Sequence, residues 1–263
     1  MTTGLRLAVA VALGAALGAG CGRVETLSGR LADLPDAVRR PLSDCLWETG
    51  SLYAWAGHRT MRCEITRTDH QPTGDIVSHE VWRLDLASGY FRIDKPELAQ
   101  TVAFDGLGWH VTWNGKETDN LEVRAAAAGD AMIIRQIMPM PFALLDPGLA
   151  LEYVGTRTGP AEARQWDLLL ATCQGALGAA TEDRLAVEIN KATHGVDGAA
   201  IKWQEPPFLG RSWRVALDEW RPVDGIKVAH RWRFWPTNDK GTVSGPPRYT
   251  FTVTAAAWDS TAP

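Results

Sequence analysis

The stretch Val215-Ala216-Leu217-Asp218-Glu219-Trp220-Arg221-Pro222-Val223-Asp224-Gly225-Ile226-Lys227-Val228-Ala229-His230-Arg231 decides the architecture of this chain. Asp224-Gly225 supplies two residues that tolerate φ > 0, as a tight hairpin turn requires, and Pro222 restricts the chain entering it. Beyond the turn, Ile226, Val228, His230, Trp232 and Phe234 fall on one face of a strand, with Lys227, Arg231 and Arg233 on the other. Before it, Trp213, Val215 and Leu217 form an apolar triplet at the same period. Two such strands form an antiparallel unit whose apolar side has to be covered.

Working outward, the period of two recurs along most of the chain. Met61, Cys63 and Ile65 alternate with Arg62, Glu64 and Thr66. Val77 to Leu86 and Tyr90 to Asp94 flank Ser88-Gly89, and Thr101 to Asp105 and Trp109 to Trp113 flank Asp105-Gly106, with Asn114-Gly115 closing the second of these strands. Further strands are predicted at Leu151 to Thr156, Ala163 to Thr172, Arg184 to Asn190, Ala199 to Gln204, Ser212 to Trp220, Ile226 to Trp235 and Tyr249 to Trp258, with Asp197-Gly198 as another hairpin signal. Two segments break the pattern. Pro41 to Ala56 reads as a helix with Pro41 at its first position and Gly50 interrupting it, and Glu117 to Leu145 reads as one or two helices ending at Pro139 and Pro141. The expected fold class is mainly β (α+β): a single incomplete antiparallel β-barrel of about ten to twelve strands, with helices over its concave face.

The first twenty residues stand apart. Arg6 and the apolar run Leu7 to Leu17 read as a secretory signal, too short for the roughly 20 residues that span a bilayer. Leu17-Gly18-Ala19-Gly20-Cys21 resembles a bacterial lipobox, which implies lipid attachment at Cys21, and Gly22 after it implies the outer membrane facing the periplasm. A plainly secreted or periplasmic protein is the other reading. The expected organisation is a signal peptide over 1–20, a lipidated Cys and tether over 21–40, and one β-rich domain over 41–263. Cys45, Cys63 and Cys173 then remain, and one disulfide plus one buried thiol suits an oxidising compartment.

With 27 basic and 31 acidic residues the formal charge is −4, so no nucleic-acid partner is expected. The apolar share of 45% argues for a packed core. Trp82, Leu84 and Leu86, Trp109, Val111 and Trp113, and Leu185, Val187 and Ile189 add three more apolar faces to those of the hairpin. Either these faces form a self-filled core, or the curved sheet leaves a cavity of lipid size, with Met132, Met138 and Met140 as an adaptable lid.

A helix with Leu52-Tyr53-Ala54-Trp55-Ala56-Gly57, a run of strands, a helical insertion and a second run of strands resemble the LolA/LolB-like superfamily of periplasmic lipoprotein carriers and outer-membrane lipoprotein receptors. The hairpin quoted above is similar to the superfamily's aromatic-Arg-x-Val-Asp-Gly-Ile segment, with Ala229 where Pro is usual. The resemblance implies a half-barrel around helices whose apolar interior takes acyl chains. Trp82, Leu84, Trp109, Val111, Trp113, Met132, Met138, Trp213, Leu217, Val228, His230, Trp232 and Phe234 are the candidate cavity-lining residues.

Familiar catalytic patterns are missing from the sequence. His79-Glu80 lacks the second His of HExxH, Gly210-Arg211-Ser212-Trp213-Arg214 lacks the last Gly of GxSxG, and there is no P-loop. His58, His70, His79, His110 and His194 read as solvated side chains, whereas His230 reads as a neutral core imidazole needing one hydrogen-bond partner. Of the 12 Trp, those at 220, 235 and 258 are the candidates for an exposed surface. The expected function is non-enzymatic, with no cofactor and no metal: a cell-envelope lipoprotein binding a lipid, an acyl chain or a lipidated polypeptide. The alternative is a structural or interaction module with a self-filled barrel and an envelope protein as partner.

Overall fold

The structure is a computed structural model that describes residues 25–105, 109–159, 164–174, 182–203, 211–238, 241–243 and 245–259. Three helices come first: α1 (25–32), α2 (Asp36–Thr49) and α3 (Ser51–Gly57). Strands β1 (Thr60–Asp69), β2 (Ile76–Asp85), β3 (Phe91–Lys95), β4 (Gln100–Phe104), β5 (Trp109–Trp113) and β6 (Lys116–Glu117) follow. Helix α4 (Leu121–Met132) runs into a π-helical turn, Ile133–Ile137, and a 3-10 turn, Phe142–Leu145. The second run is β7 (Leu149–Thr158), β8 (Gln165–Gln174), β9 (Glu182–Asn190), β10 (Val196–Lys202), β11 (Ser212–Val223), β12 (Ile226–Pro236) and β13 (Tyr249–Trp258).

All strands join one antiparallel, unclosed sheet of 13 strands, in the order β6-β5-β4-β3-β2-β1-β13-β12-β11-β10-β9-β8-β7. The two meanders meet where β1 pairs with β13, Met61 opposite Trp258 and Asp69 opposite Tyr249. The strand beyond the expected range is β6, whose two residues are too short to show a period. Since β6 and β7 are consecutive in sequence but sit on opposite edges, the segment between them has to cross the whole sheet. It does so over the apolar face. Ala131, Met132, Ile133, Ile134, Ile137, Met138, Phe142 and Leu144 pack in one cluster with residues from twelve of the strands, among them Trp82, Ile93, Val187, Val215, Trp232 and Phe251. Each fully buried side chain of this kind contributes about 1.5–3 kcal/mol relative to exposure.

The turn chemistry acts as expected at Asp224 (φ 46°) and Gly225 (φ 84°), which form a two-residue hairpin turn, and at Gly89 (φ 72°), which closes the β2–β3 turn. Asn114 (φ 51°) and Gly115 (φ 72°) end β5 as expected and turn the chain back into β6 as well. Gly198 behaves differently from its reading as a turn residue. It lies within β10, where a Cβ would sit 2.2 Å from the Val215 carbonyl oxygen, so the residue permits close approach of two strands. The turn falls at residues 191–195 instead.

The N-terminal reading also needs correction. Residues expected to form a tether are helical from 25 onward, and Leu34 and Val38 are buried in the core. Pro41 lies inside α2, which begins after Pro35. Gly50, expected to interrupt the helix, ends α2 with φ 148° and leads into α3. Trp258 is buried, its indole N–H donating to the Val223 carbonyl at 2.8 Å, because β13 is an inner strand rather than an exposed end. Cys45 and Cys63 are both buried free thiols rather than members of a bridge, and the side chain of Cys173 lies outside the described residues. Signal peptide, lipobox and Cys21 also fall outside the described residues.

Candidate functional site

Ten of the thirteen positions expected on the concave face are buried members of the common core: Trp82, Leu84, Val111, Met132, Met138, Trp213, Leu217, Val228, Trp232 and Phe234. His230 is buried beside them, and its Nδ1–H donates to the carbonyl of Val228 at 3.0 Å, the partner a neutral core imidazole needs. Trp113 is 50% exposed, because the two-residue β6 beside it leaves its end of the sheet uncovered. Trp109 lies in β5, and its side chain is outside the described residues. The space these residues face is filled by the segment from α4 to Leu145, with Met132, Met138 and Met140 all buried within it.

A buried ionic cluster pins this plug to the sheet. Asp130 of α4 accepts a hydrogen bond from Arg67 Nη1 at 2.9 Å and another from the Lys95 ammonium. Arg67 also donates to Asp69 at 2.7 Å, and Lys95 lies 3.9 Å from Glu80, whose other oxygen accepts the Trp82 indole N–H at 2.7 Å. Burial drives the Glu80 carboxyl above the usual carboxylate range, helped by Asp130 and opposed by Lys95 and Arg67. Burial works against the Arg67 charge too, but Asp130, Glu80 and Asp69 outweigh it and hold that guanidinium more firmly protonated than usual. Sequence reading passed over these residues. The available signal was that Arg67, Glu80 and Lys95 each occupy the apolar face of their strand, in phase with Ile65, Trp82 and Ile93.

Where the plug meets the end of the sheet it leaves an open cleft of about 330 Å³, at the lower end of the roughly 300–1,000 Å³ typical of small-molecule sites. Trp55 of α3 stacks on Phe142 at 4.3 Å between centroids, and with Leu84, Leu86, Leu145 and Pro139 they make an apolar lining. Leu27 of α1 contributes from the N-terminal side. Arg135, Asp85, Ser88 and Asp146 supply the polar groups. Asp85 is committed to the β2–β3 turn. Burial raises its pKa, but the backbone N–H groups of Ser88 and Ala87, both at 2.9 Å, together with Ser88 and Arg59, hold it below the usual range. Arg135 lies over the Phe104 ring at 5.7 Å. Only Leu84 of the expected lining residues borders this cleft. Its walls come from four separate segments, which no single strand's periodicity brings together.

Among the described residues no three of His, Cys, Asp and Glu gather as a metal site, and no helix is long and apolar enough to cross a membrane. His58 pairs with Asp259 at 2.8 Å, His70 with Asp75 at 3.0 Å, His79 with Glu97 at 2.8 Å and His110 with Asp105 at 3.1 Å, each partnered by a carboxylate at a strand end or turn.

No protein-family profile matches the sequence, and no curated protein matches it. The architecture is LolA-like. A LolA superfamily protein from Nitrosomonas europaea matches with a TM-score of 0.56 at 9% identity, over 86% of this chain and 94% of that one. A DUF1329 family protein from Desulfovibrio piger matches with a TM-score of 0.54 at 11% identity, over 86% of this chain and 94% of that one. Identities this low establish the fold alone.

Proposed function

We propose that this LolA-like half-barrel is a non-enzymatic lipoprotein of the cell envelope, anchored through Cys21, that takes an acyl chain or the lipid moiety of a lipidated polypeptide at the mouth of its concave face. The observation that carries the reading is the cleft between Trp55, Phe142, Leu84 and Leu145. Its lining sets these apolar side chains beside Arg135, Ser88 and Asp146, it opens to solvent, and the plug behind it is rich in Met, which repacks around varied shapes. Entry would begin there and deepen as Met138 and Met140 shift, extending contact towards the buried positions expected to line the cavity. Arg135 at the rim suits a carboxylate or phosphate head group. Attachment at Cys21 would place the body on the periplasmic side of the outer membrane.

The test is native mass spectrometry with lipid extraction on residues 22–263, purified without the anchor. The expected result is a lipid released only on denaturation. Affinity for added fatty acids should rise with chain length, by about 0.8 kcal/mol for each methylene buried. A lipid-free mass with no uptake of fatty acid or lipopeptide would instead support the second reading. That reading, an interaction module with a self-filled barrel, draws on the nearly complete burial of Ile134, Met138 and Leu144.

A further inference from the structure

We propose that the outer face of α2 and α3 rests on the surface of a zwitterionic bilayer, with Trp47 and Tyr53 seated at the level of the lipid head groups. Trp47 is 79% and Tyr53 77% exposed, the two most exposed large apolar side chains among the described residues. Neither is an accident of a fraying end. On α2 the buried residues Val38, Leu42, Cys45, Leu46 and Thr49 define one stripe, and helical geometry puts Trp47 about 155° from its centre, pointing away from the barrel. On α3, Trp55 is buried in the core and Tyr53, two residues earlier, faces the other way. Trp and Tyr are the side chains that settle at a bilayer interface, where a flat apolar ring meets a polar edge.

The position of the chain's start selects the membrane as occupant. Cys21 lies four residues before Glu25, the first described residue and already helical, a reach of at most about 14 Å, so an anchor there would keep the N-terminal helices near the bilayer surface. This step rests on the lipid attachment proposed above. Charge selects the kind of surface. Arg39 and Arg40 of α2 are outnumbered by Asp36, Asp44 and Glu48; Arg39 pairs with Asp36, and Glu48 with Lys227. With no net positive charge to meet anionic lipid, the face depends on its aromatic side chains, and salt should have little effect.

The full chain reconstituted with phosphatidylcholine vesicles, with and without bromine on the acyl chains, tests this through quenching of Trp emission. Residues 1–24 contain no Trp, so the signal reports on the body alone. The expected result is quenching that loses at least half its amplitude in Trp47→Phe, persists in Trp55→Phe, and changes little between low and high salt. Equal quenching in wild type and Trp47→Phe, or none in wild type, would overturn the proposal. Quenching lost in Trp55→Phe but kept in Trp47→Phe would also overturn it, while supporting lipid in the cleft. The mass of the Cys21 peptide reports separately whether the anchor itself is present. A lipid-independent dimer in sedimentation, broken by Trp47→Phe, would overturn it in favour of a second copy of the chain.

Discussion

Arg67 Nη1 of β1 lies 2.9 Å from Asp130 Oδ1 of α4, and this buried contact ties the plug to the sheet it covers. The same carboxylate also accepts from Lys95 of β3, so it is shared by two buried cations whose other acidic neighbours are Asp69 and Glu80. Asp130→Asn leaves both underpaired and should lower stability by about 3–5 kcal/mol, measured by urea unfolding. Amide exchange across α4 should accelerate more than in β12. A loss below about 1 kcal/mol would show that the apolar contacts of the plug suffice without the ionic cluster.

Two carboxylates give opposite pH dependences. Glu80 has a folded-state pKa raised above the unfolded value of about 4.3. Its contribution is therefore full below that value and is lost as pH rises through the folded one. Glu80→Gln keeps an acceptor for the Trp82 indole, so it should gain stability relative to wild type as pH rises. Asp85 is held below the unfolded value of about 3.9, so its contribution is present above that pH and lost as pH falls through the folded value. Asp85→Asn should flatten the acid limb. Urea midpoints measured from pH 3 to pH 8 check both signs.

Ala143 borders the cleft and is only partly buried. Ala143→Phe should fill the opening, reducing fatty-acid uptake at least tenfold with little change in thermal midpoint. Undiminished uptake would place the acyl chain elsewhere.

At Gly198 an added Cβ would meet backbone atoms, the Val215 carbonyl oxygen at 2.2 Å and the Ala216 Cα at 3.3 Å. Backbone in the middle of a sheet cannot swing aside as a flexible side chain can. Gly198→Ala should therefore cost about 1–3 kcal/mol through overpacking, read from the denaturation midpoint. A neutral result would mean that β10 and β11 separate more easily than this contact implies.

Burial pushes the thiols of Cys45 and Cys63 up to about 12. Neither should react with an alkylating reagent at pH 8 until the protein unfolds, and peptide mapping before and after denaturation would show the difference. Rapid labelling of either in the native state would mean that the helices lift off the sheet.

Alternation along the chain, and the places where it breaks, were enough to identify every strand but β6, the hairpin turn at Asp224-Gly225, the apolar faces of Trp213 to Leu217 and Ile226 to Phe234, and the helical insertion after Glu117. These are local properties, set by a period of two and by residues that tolerate φ > 0. Tertiary structure alone decided what covers the faces. With β6 and β7 on opposite edges, the intervening chain crosses the concave face, so the apolar faces of the strands pack against it in one core and a cleft is left at the mouth. The same crossing brings Asp130 to Arg67 and Lys95, 63 and 35 residues away in sequence. No local pattern encodes such a meeting, because it depends on strand order, and strand order follows from the free energy of covering the whole sheet at once.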